Sequence, residues 1–286
     1  MTKNRNNLHT FVILAYQESP FLEQCIKSIL NQHNASQTII ATTTPNHFID
    51  NLAQKYNLKI VTGKHTNIGG DFDFALHSAN TPLVTIAHQD DLYDKFYSDE
   101  IISAYHKHPN SSIIFTDYYE IRNSKKTYTN LNLKIKRLLL LPLKISHGKS
   151  KFTKRSALRF GCSICCPAVT FVTNNCPSSV FSSDYKCDVD WHAWETLSKK
   201  HFSFTYISKP LMGHRISESS TTSNIINQGL RTKEDYEIFK RFWPKPIANY
   251  LQKCITLAKN LILLIKIDKS FYRILPFWQR LKSIFN

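Results

Sequence analysis

Thr81-Pro-Leu-Val-Thr-Ile-Ala-His-Gln-Asp-Asp-Leu-Tyr-Asp94 is the stretch on which the fold turns. Leu83 to Ala87 is a short, β-rich apolar run, and Pro82 suits the first residue of a strand. The run reads as a buried strand that ends abruptly in His88-Gln89-Asp90-Asp91. Two adjacent carboxylates at a strand's carboxyl end repel each other unless positive charge lies nearby. A divalent cation is one solution, because hard cations take oxygen ligands. In open α/β sheets, ligands also bind outside the carboxyl ends of the strands. The other reading is an exposed acidic turn that caps the following helix. Taken alone, the stretch leaves both open.

Upstream, strand and helix patterns alternate. Thr10 to Tyr16 is apolar on both faces, as in a parallel sheet. Pro20 then suits the first turn of a helix carrying Phe21, Leu22, Cys25, Ile26, Ile29 and Leu30 at helical spacing. Gln37 to Thr42 reads as a second strand. Phe48, Ile49, Leu52 and Tyr56 form a second helical stripe, and Leu58 to Val61 a third strand. Short connections between alternating elements mean βαβ units and a parallel, doubly wound sheet. Next comes Asn67-Ile-Gly-Gly-Asp-Phe-Asp-Phe-Ala-Leu76, which holds two of only seven glycines. A Gly pair opening a helix can let backbone approach a phosphate; a plain loop-to-helix turn is the alternative.

Downstream, Tyr97 to Lys107 reads as a helix, and Ser112 to Thr116, continued to Ile121, as a strand. The segment 122–159 alternates cationic and aliphatic residues without a clear period and reads as a mobile or membrane-facing loop. Phe160 to Phe171 returns to core-like β sequence. Its Cys162, Cys165 and Cys166 lack the paired spacing of a zinc site and read as core thiols. Asp190 precedes a helix with Trp191, Trp194 and Leu197 on one side. It could cap that helix, or stand at a site mouth where the indoles limit solvent. Phe202 to Ile207 is a strand, and Met212 to Thr222 a polar loop whose His214-Arg215 pair suits phosphate or metal. Arg231 to Trp243 is a charged amphipathic helix, and 247–267 and 271–285 read as apolar, cationic helices.

With 286 residues and 42% hydrophobic content, the chain can bury one substantial core. The polar start lacks the apolar core of a signal peptide, so a cytosolic protein with reduced thiols is expected. The net charge of +16 is uneven. Twelve Lys or Arg and no acid lie between Arg122 and Arg159; nine basic residues against Asp268 alone lie between Arg241 and Asn286. Such asymmetry points to a polyanion. Lys253, Lys259, Lys266, Lys269, Arg273, Arg280 and Lys282 are interleaved with Leu, Ile and Phe, the composition of an interfacial helix. The expectation is a peripheral position on the inner face of a bacterial membrane. Packing of these helices on the catalytic domain or on a second subunit is the alternative, and the sequence is compatible with a homo-oligomer.

The order of these features resembles the family-2 glycosyltransferases with their GT-A fold. Leu22-Glu-Gln-Cys-Ile-Lys-Ser-Ile-Leu-Asn-Gln32 is similar to that family's opening helix, and Tyr16-Gln17 to its Tyr-Asn pair. Asn67-Ile-Gly69 is similar to its Asn-x-Gly segment, Ile86 to Asp91 to its strand ending in Asp-x-Asp, and Asp190-Trp191 to its base-bearing helix. There are departures. Thr42-Thr-Thr-Pro45 stands where an acidic cluster usually contacts the nucleoside, His88 replaces the first acid of Asp-x-Asp, and Val189 the Glu of Glu-Asp.

The resemblance implies a GT-A domain over 1–222, basic helices over 223–286, and an inverting hexosyltransferase. The donor is a nucleotide sugar and the acceptor a hydroxyl of a glycan or lipid-linked molecule in surface polysaccharide synthesis. Mn²⁺ or Mg²⁺ would sit at Asp90, helped by Asp91 or His214. Ala15, Tyr16, Asn67, Gly69, Asp71, His88, Gln89 and Arg215 are the donor-binding candidates, and Trp191 and Cys166 lie on the acceptor side. Asp190 would be the general base, with Asp184 and Asp188 as competitors. A catalytically inactive binding protein is a rival, motivated by the missing acids. A nucleic-acid-binding protein, motivated by charge, would need a basic groove with stacking aromatics or a known module. The basic stretch carries leucines instead, so no nucleic acid partner is expected.

Overall fold

A computed structural model describes residues 6–181, 184–216 and 229–257. Chain contacts divide the protein into two compact units, Met1–Arg231 and Thr232–Asn286. In the second unit a helix spans 245–257. The expected tail beyond 257, including Lys259, Lys266, Lys269, Arg273, Arg280 and Lys282, lies outside the described residues.

The first unit is built on one mixed, mostly parallel sheet. Its strands are β1 (Asn6–Ala15), β2 (Ser36–Thr42), β3 (Lys59–Thr62), β4 (Leu83–His88), β5 (Leu92–Tyr93), β6 (Ser111–Arg122), β7 (Lys125–Thr127), β8 (Val169–Val172) and β9 (Ser203–Arg215). The order is β3-β2-β1-β4-β8-β6-β9-β5, with β7 paired to β6. β1 is parallel to β2 and β4, β2 to β3, and β6 to β9. β8 is antiparallel to both β4 and β6, so a short reversed strand interrupts the parallel order. The carboxyl ends of β1, β2, β3, β4, β6 and β9 therefore share one edge.

The helices are α1 (Leu22–Leu30), α2 (His47–Tyr56), α3 (Ile68–His77), α4 (Tyr97–Lys107), α5 (Leu131–Ser146), α6 (Lys151–Leu158), α7 (Val189–Ser198) and α8 (Leu230–Phe239). α1 forms because Leu22, Cys25, Ile26 and Ile29 recur at helical spacing and all four are buried. α2 and α3 start at Asn46 and Asn67, whose side chains accept from Ile49 N and Gly70 N. The core is pinned by buried polar contacts as well as apolar packing. His9, fully buried, lies 2.8 Å from both Ser36 Oγ and Thr85 Oγ1. Thr85 reaches Thr170, and Tyr97 donates to the Ala168 carbonyl, so β8 is held from two sides.

Three expectations are corrected here. The segment 122–159 contains two helices rather than a mobile loop. Asn130 caps α5 by accepting from Leu133 N, and Leu133, Leu140 and Leu143 are buried. Glu120 accepts from Asn130 and Asn132, and Arg137 Nε donates to Asp117 at 2.7 Å, which docks α5 on β6. β9 runs on to Arg215, so Met212, Gly213, His214 and Arg215 are strand rather than loop; the rest of that expected loop, 217–222, lies outside the described residues. Phe160 to Cys165 is not strand, and only Val169–Val172 pairs in the sheet.

Candidate active site

The carboxyl edge of the sheet gathers the candidates. β4 ends at His88, and the turn that follows is tied back to β1. Gln89 accepts from Tyr16 N at 3.1 Å and donates to the Tyr16 carbonyl at 2.9 Å, extending the β1–β4 ladder with a side-chain amide. Ala15, one residue earlier, is fully buried.

Asp90 and Asp91 differ sharply. Asp90 is half-buried and accepts from Ser19 Oγ through Oδ1 at 2.7 Å. Asp91 is 1% exposed. Its Oδ1 accepts from Arg215 N at 2.8 Å, and His214 Nδ1 lies 3.2 and 3.3 Å from its two oxygens. Burial opposes a charge on His214, yet the Asp91 carboxylate holds its pKa above the ordinary imidazole value by attraction and hydrogen bonding. Arg215 braces the same corner: Nε donates to the Asp90 carbonyl, a terminal nitrogen donates to Gln24 Oε1, and the guanidinium lies 4.0 Å from the Phe21 ring centre. Asp91 thus faces inward as a brace between the ends of β4 and β9, and Asp90 faces the edge.

A second cluster forms at the ends of β1, β2 and β3. Asp71, from the first turn of α3, accepts from His65 Nδ1 at 2.8 Å and from Thr43 Oγ1 at 3.3 Å. Its Oδ1 is buried with no hydrogen-bond partner among the described residues. The Tyr16 and His65 ring centres are 6.0 Å apart, and Thr44 accepts from Gln17 N. Asp71 therefore brings a carboxylate to the place where the chain lacks an acid after β2. Asn67 and Gly69 serve the start of α3. Asn67 caps it, and a Cβ on Gly69 would lie 2.2 Å from the Phe181 carbonyl oxygen. The demand for glycine at 69 thus comes from Phe181.

The second half of the chain supplies Asp190, in the first turn of α7. The cap position belongs to Asp188, which is 1% exposed and pairs with Arg231 at 3.7 Å. Asp190 accepts from Trp191 N at 2.7 Å through Oδ1 and from the Cys162 thiol at 3.4 Å through Oδ2. Burial and the Asp190 charge raise the Cys162 pKa well above its usual value, so the thiol stays protonated and can donate. Trp191 is buried and donates to the Leu158 carbonyl, so its indole is core and offers no surface to an acceptor. Cys166 is also buried, and its thiol is pushed up by burial and by Asp190, Cys165 and Asp91.

His88 joins the two halves. Burial lowers its pKa, while Asp91, Asp90 and Asp190 act on it from the opposite direction and His214 reinforces the lowering. All four groups therefore lie within electrostatic reach of one imidazole. A line of rings runs outward from it: His88 stacks on Phe72 at 5.3 Å, Phe72 meets Phe181 at 5.0 Å, and Phe181 meets Trp194 of α7 at 6.1 Å. Asp73 holds Phe181 in this line by accepting from the backbone N–H groups of Val180 and Phe181 and from Ser179 Oγ.

Sequence reasoning missed Ser19, Thr43, His65, Cys162 and Lys136. Lys136, on α5, lies 5.4 Å from the Tyr118 ring centre, and Tyr118 meets His214 edge-on at 6.1 Å. These residues touch the site through long-range contacts that no local spacing signals.

A parallel sheet interrupted by one reversed strand, with acids at the β4 end and on a later helix, defines a GT-A type glycosyltransferase fold. The family model of Glycosyl transferase family 2 matches residues 10–169, and the chain belongs to that family; it is a nucleotide-sugar glycosyltransferase. No curated protein matches it in sequence. Among solved structures, S. aureus TarS 1-349 in complex with UDP-GlcNAc is 12% identical with a TM-score of 0.52, covering 86% of this chain and 70% of that one. The mannosyltransferase PcManGT from Pyrobaculum calidifontis, in complex with GDP-Man and Mn²⁺, is 11% identical with a TM-score of 0.53, covering 85% and 67%. Glucosyl-3-phosphoglycerate synthase from Mycobacterium tuberculosis, in complex with Mn²⁺ and UDP-glucose, is 11% identical with a TM-score of 0.51, covering 82% and 78%.

Proposed function

We propose that the protein is an inverting transferase that moves a hexosyl group from a nucleotide diphosphate sugar to a hydroxyl of a glycan or lipid-linked acceptor in bacterial surface polysaccharide synthesis. The observation that carries this reading is the acidic end of β4, where Asp90 accepts from Ser19 and Asp91 is held by His214 and Arg215 of β9 at the carboxyl edge of the sheet.

The donor nucleoside lies against Tyr16, His65 and Asp71. The unsatisfied Asp71 Oδ1 suits an N–H of the base or a ribose hydroxyl. Among the described residues no three-ligand protein cluster for a metal ion occurs. Asp90 and the outer nitrogen of His214 still fit a cation that takes most of its oxygens from a substrate diphosphate and water, which is how Mg²⁺ is usually held. The Asp91 contact to His214 Nδ1 is the carboxylate–histidine arrangement that orients a metal-binding imidazole. When bound at Asp90 and His214, Mn²⁺ or Mg²⁺ would neutralise the diphosphate leaving group.

Asp190 accepts the proton from the acceptor hydroxyl as that oxygen attacks the anomeric carbon. Its contacts with the Cys162 thiol and Trp191 N–H fix the carboxylate, and the start of α7 favours its negative charge. A single displacement inverts the anomeric centre. Attachment to the inner face of the cell membrane belongs to the same reading. The deciding experiment is a thermal-shift and turnover screen of the purified chain against nucleotide sugars with and without Mn²⁺. Stabilisation by one donor only when metal is present supports the reading; indifference to every donor defeats it.

A further inference from the structure

Leu131, Ile135, Leu138, Leu141 and Ile145 of α5 are 69%, 48%, 64%, 43% and 80% exposed. They recur in steps of three or four residues, so they form one stripe along a helix about 24 Å long. The opposite side carries the buried Leu133, Leu140 and Leu143. Singly exposed aliphatic residues need no explanation, but a contiguous stripe marks an interaction surface.

Charge selects the partner. No acid occurs between Arg122 and Arg159. Lys134 and Lys144 on the helix, and Lys149 and Lys151 just past its end, are exposed. A second copy of this chain would bring the same basic stripe against itself, and the segment from Arg241 to Asn286 is basic too. Nucleic acid would call for stacking aromatics, whereas this stripe is aliphatic. An anionic lipid surface complements both properties. Among the described residues no helix is long and apolar enough to cross a membrane, so the contact would be interfacial.

We propose that the outer face of α5 docks the enzyme on an anionic bilayer, with the stripe at the acyl boundary and the lysines among headgroup phosphates. The inner flank of the helix reaches the site. Arg137 binds Asp117 and the Tyr118 carbonyl, and Lys136 lies over the Tyr118 ring, next to His214. Docking there sets the carboxyl edge of the sheet beside the headgroup layer and makes a membrane-borne hydroxyl the acceptor class. That last step rests on the glycosyl-transfer reading; the docking itself does not.

The test is flotation of the full chain with vesicles of phosphatidylglycerol and phosphatidylcholine, and with phosphatidylcholine alone. Binding to the anionic vesicles at low salt, released by high salt and weak on the neutral ones, is expected. The triple variant L131Q/L138Q/I145Q, altered only at exposed positions, should bind at least ~10-fold less with an unchanged unfolding temperature. Wild-type protein that does not float overturns the proposal. So does equal flotation of the variant, which would put the attachment elsewhere in the chain. A concentration-dependent dimer abolished by the variant would overturn it too, by making the face a contact between copies. Donor binding in the same samples is a separate readout. Its failure would remove the glycosyl-transfer reading and leave the docking result standing.

Discussion

Asp91, just before β5, meets His214 of the neighbouring β9, with Nδ1 3.2 Å from Oδ1 and the carboxylate almost fully enclosed. Asp91→Ala removes the acceptor of Arg215 N and the partner of the half-buried His214. It should cost roughly 1–3 kcal/mol of stability. Urea unfolding reads this directly, and a loss below about 1 kcal/mol would show that the pair is not a brace.

Asp90, its neighbour, should behave in the opposite way. It is half-buried and accepts from Ser19 Oγ. Asp90→Ala should leave the unfolding midpoint nearly unchanged and abolish the Mn²⁺-dependent part of nucleoside-diphosphate affinity. Calorimetric titration with and without metal measures it; equal affinities in wild type and variant would sink the assignment.

Asp190→Asn keeps the shape of the side chain and can still accept from Trp191 N, but it cannot take a proton. Transfer to the true acceptor should fall ~10²–10⁴-fold, the usual size of general-base help. Donor affinity should be unaffected. Normal turnover would shift attention to the buried Asp188, although its pairing with Arg231 argues for a structural role.

Asp71→Asn is the probe of the nucleoside end. It removes the charge that faces His65 and replaces one acceptor oxygen with a donor. Donor affinity should drop about tenfold or more, the order expected when a charged hydrogen bond of roughly 1.5–3 kcal/mol is lost. The catalytic rate at saturating donor should hold. A lowered rate with unchanged affinity would mean that Asp71 lies away from the nucleoside.

His9 gives a pH dependence. Burial pushes its pKa down from 6.5 to about 3. Between those values the unfolded chain binds a proton that the folded one refuses. Stability is thus fully present above pH 6.5 and declines as pH falls toward 3, by up to about 1.4 kcal/mol per unit. His9→Gln should flatten this part of the profile. Urea midpoints from pH 7 to pH 4 that run parallel in both proteins would rule the contribution out.

The strands up to β4, their parallel arrangement and the acidic turn were legible because buried parallel strands carry continuous apolar runs and their helices carry a helical period. α5 was not legible: its leucines and isoleucines face both inward and outward, which blurs the period that separates helix from loop. Asp190 was legible as a candidate, although the cap it was read beside belongs to Asp188. The contacts of Asp71 with His65 and Thr43, and of Asp190 with Cys162, depend on chain segments that meet only after folding. No spacing rule reaches them.

In the proposed reaction, the rings from His88 through Phe72 and Phe181 to Trp194 would stand between the leaving-group end at Asp90 and the helix that carries Asp190. Aromatic rings cannot be compressed, so the gap between the two ends is set by ring thickness rather than by backbone length. A smaller side chain at 181 would shorten that ruler. The enzyme would then hold its donor as before and lose rate because the attacking oxygen arrives off line.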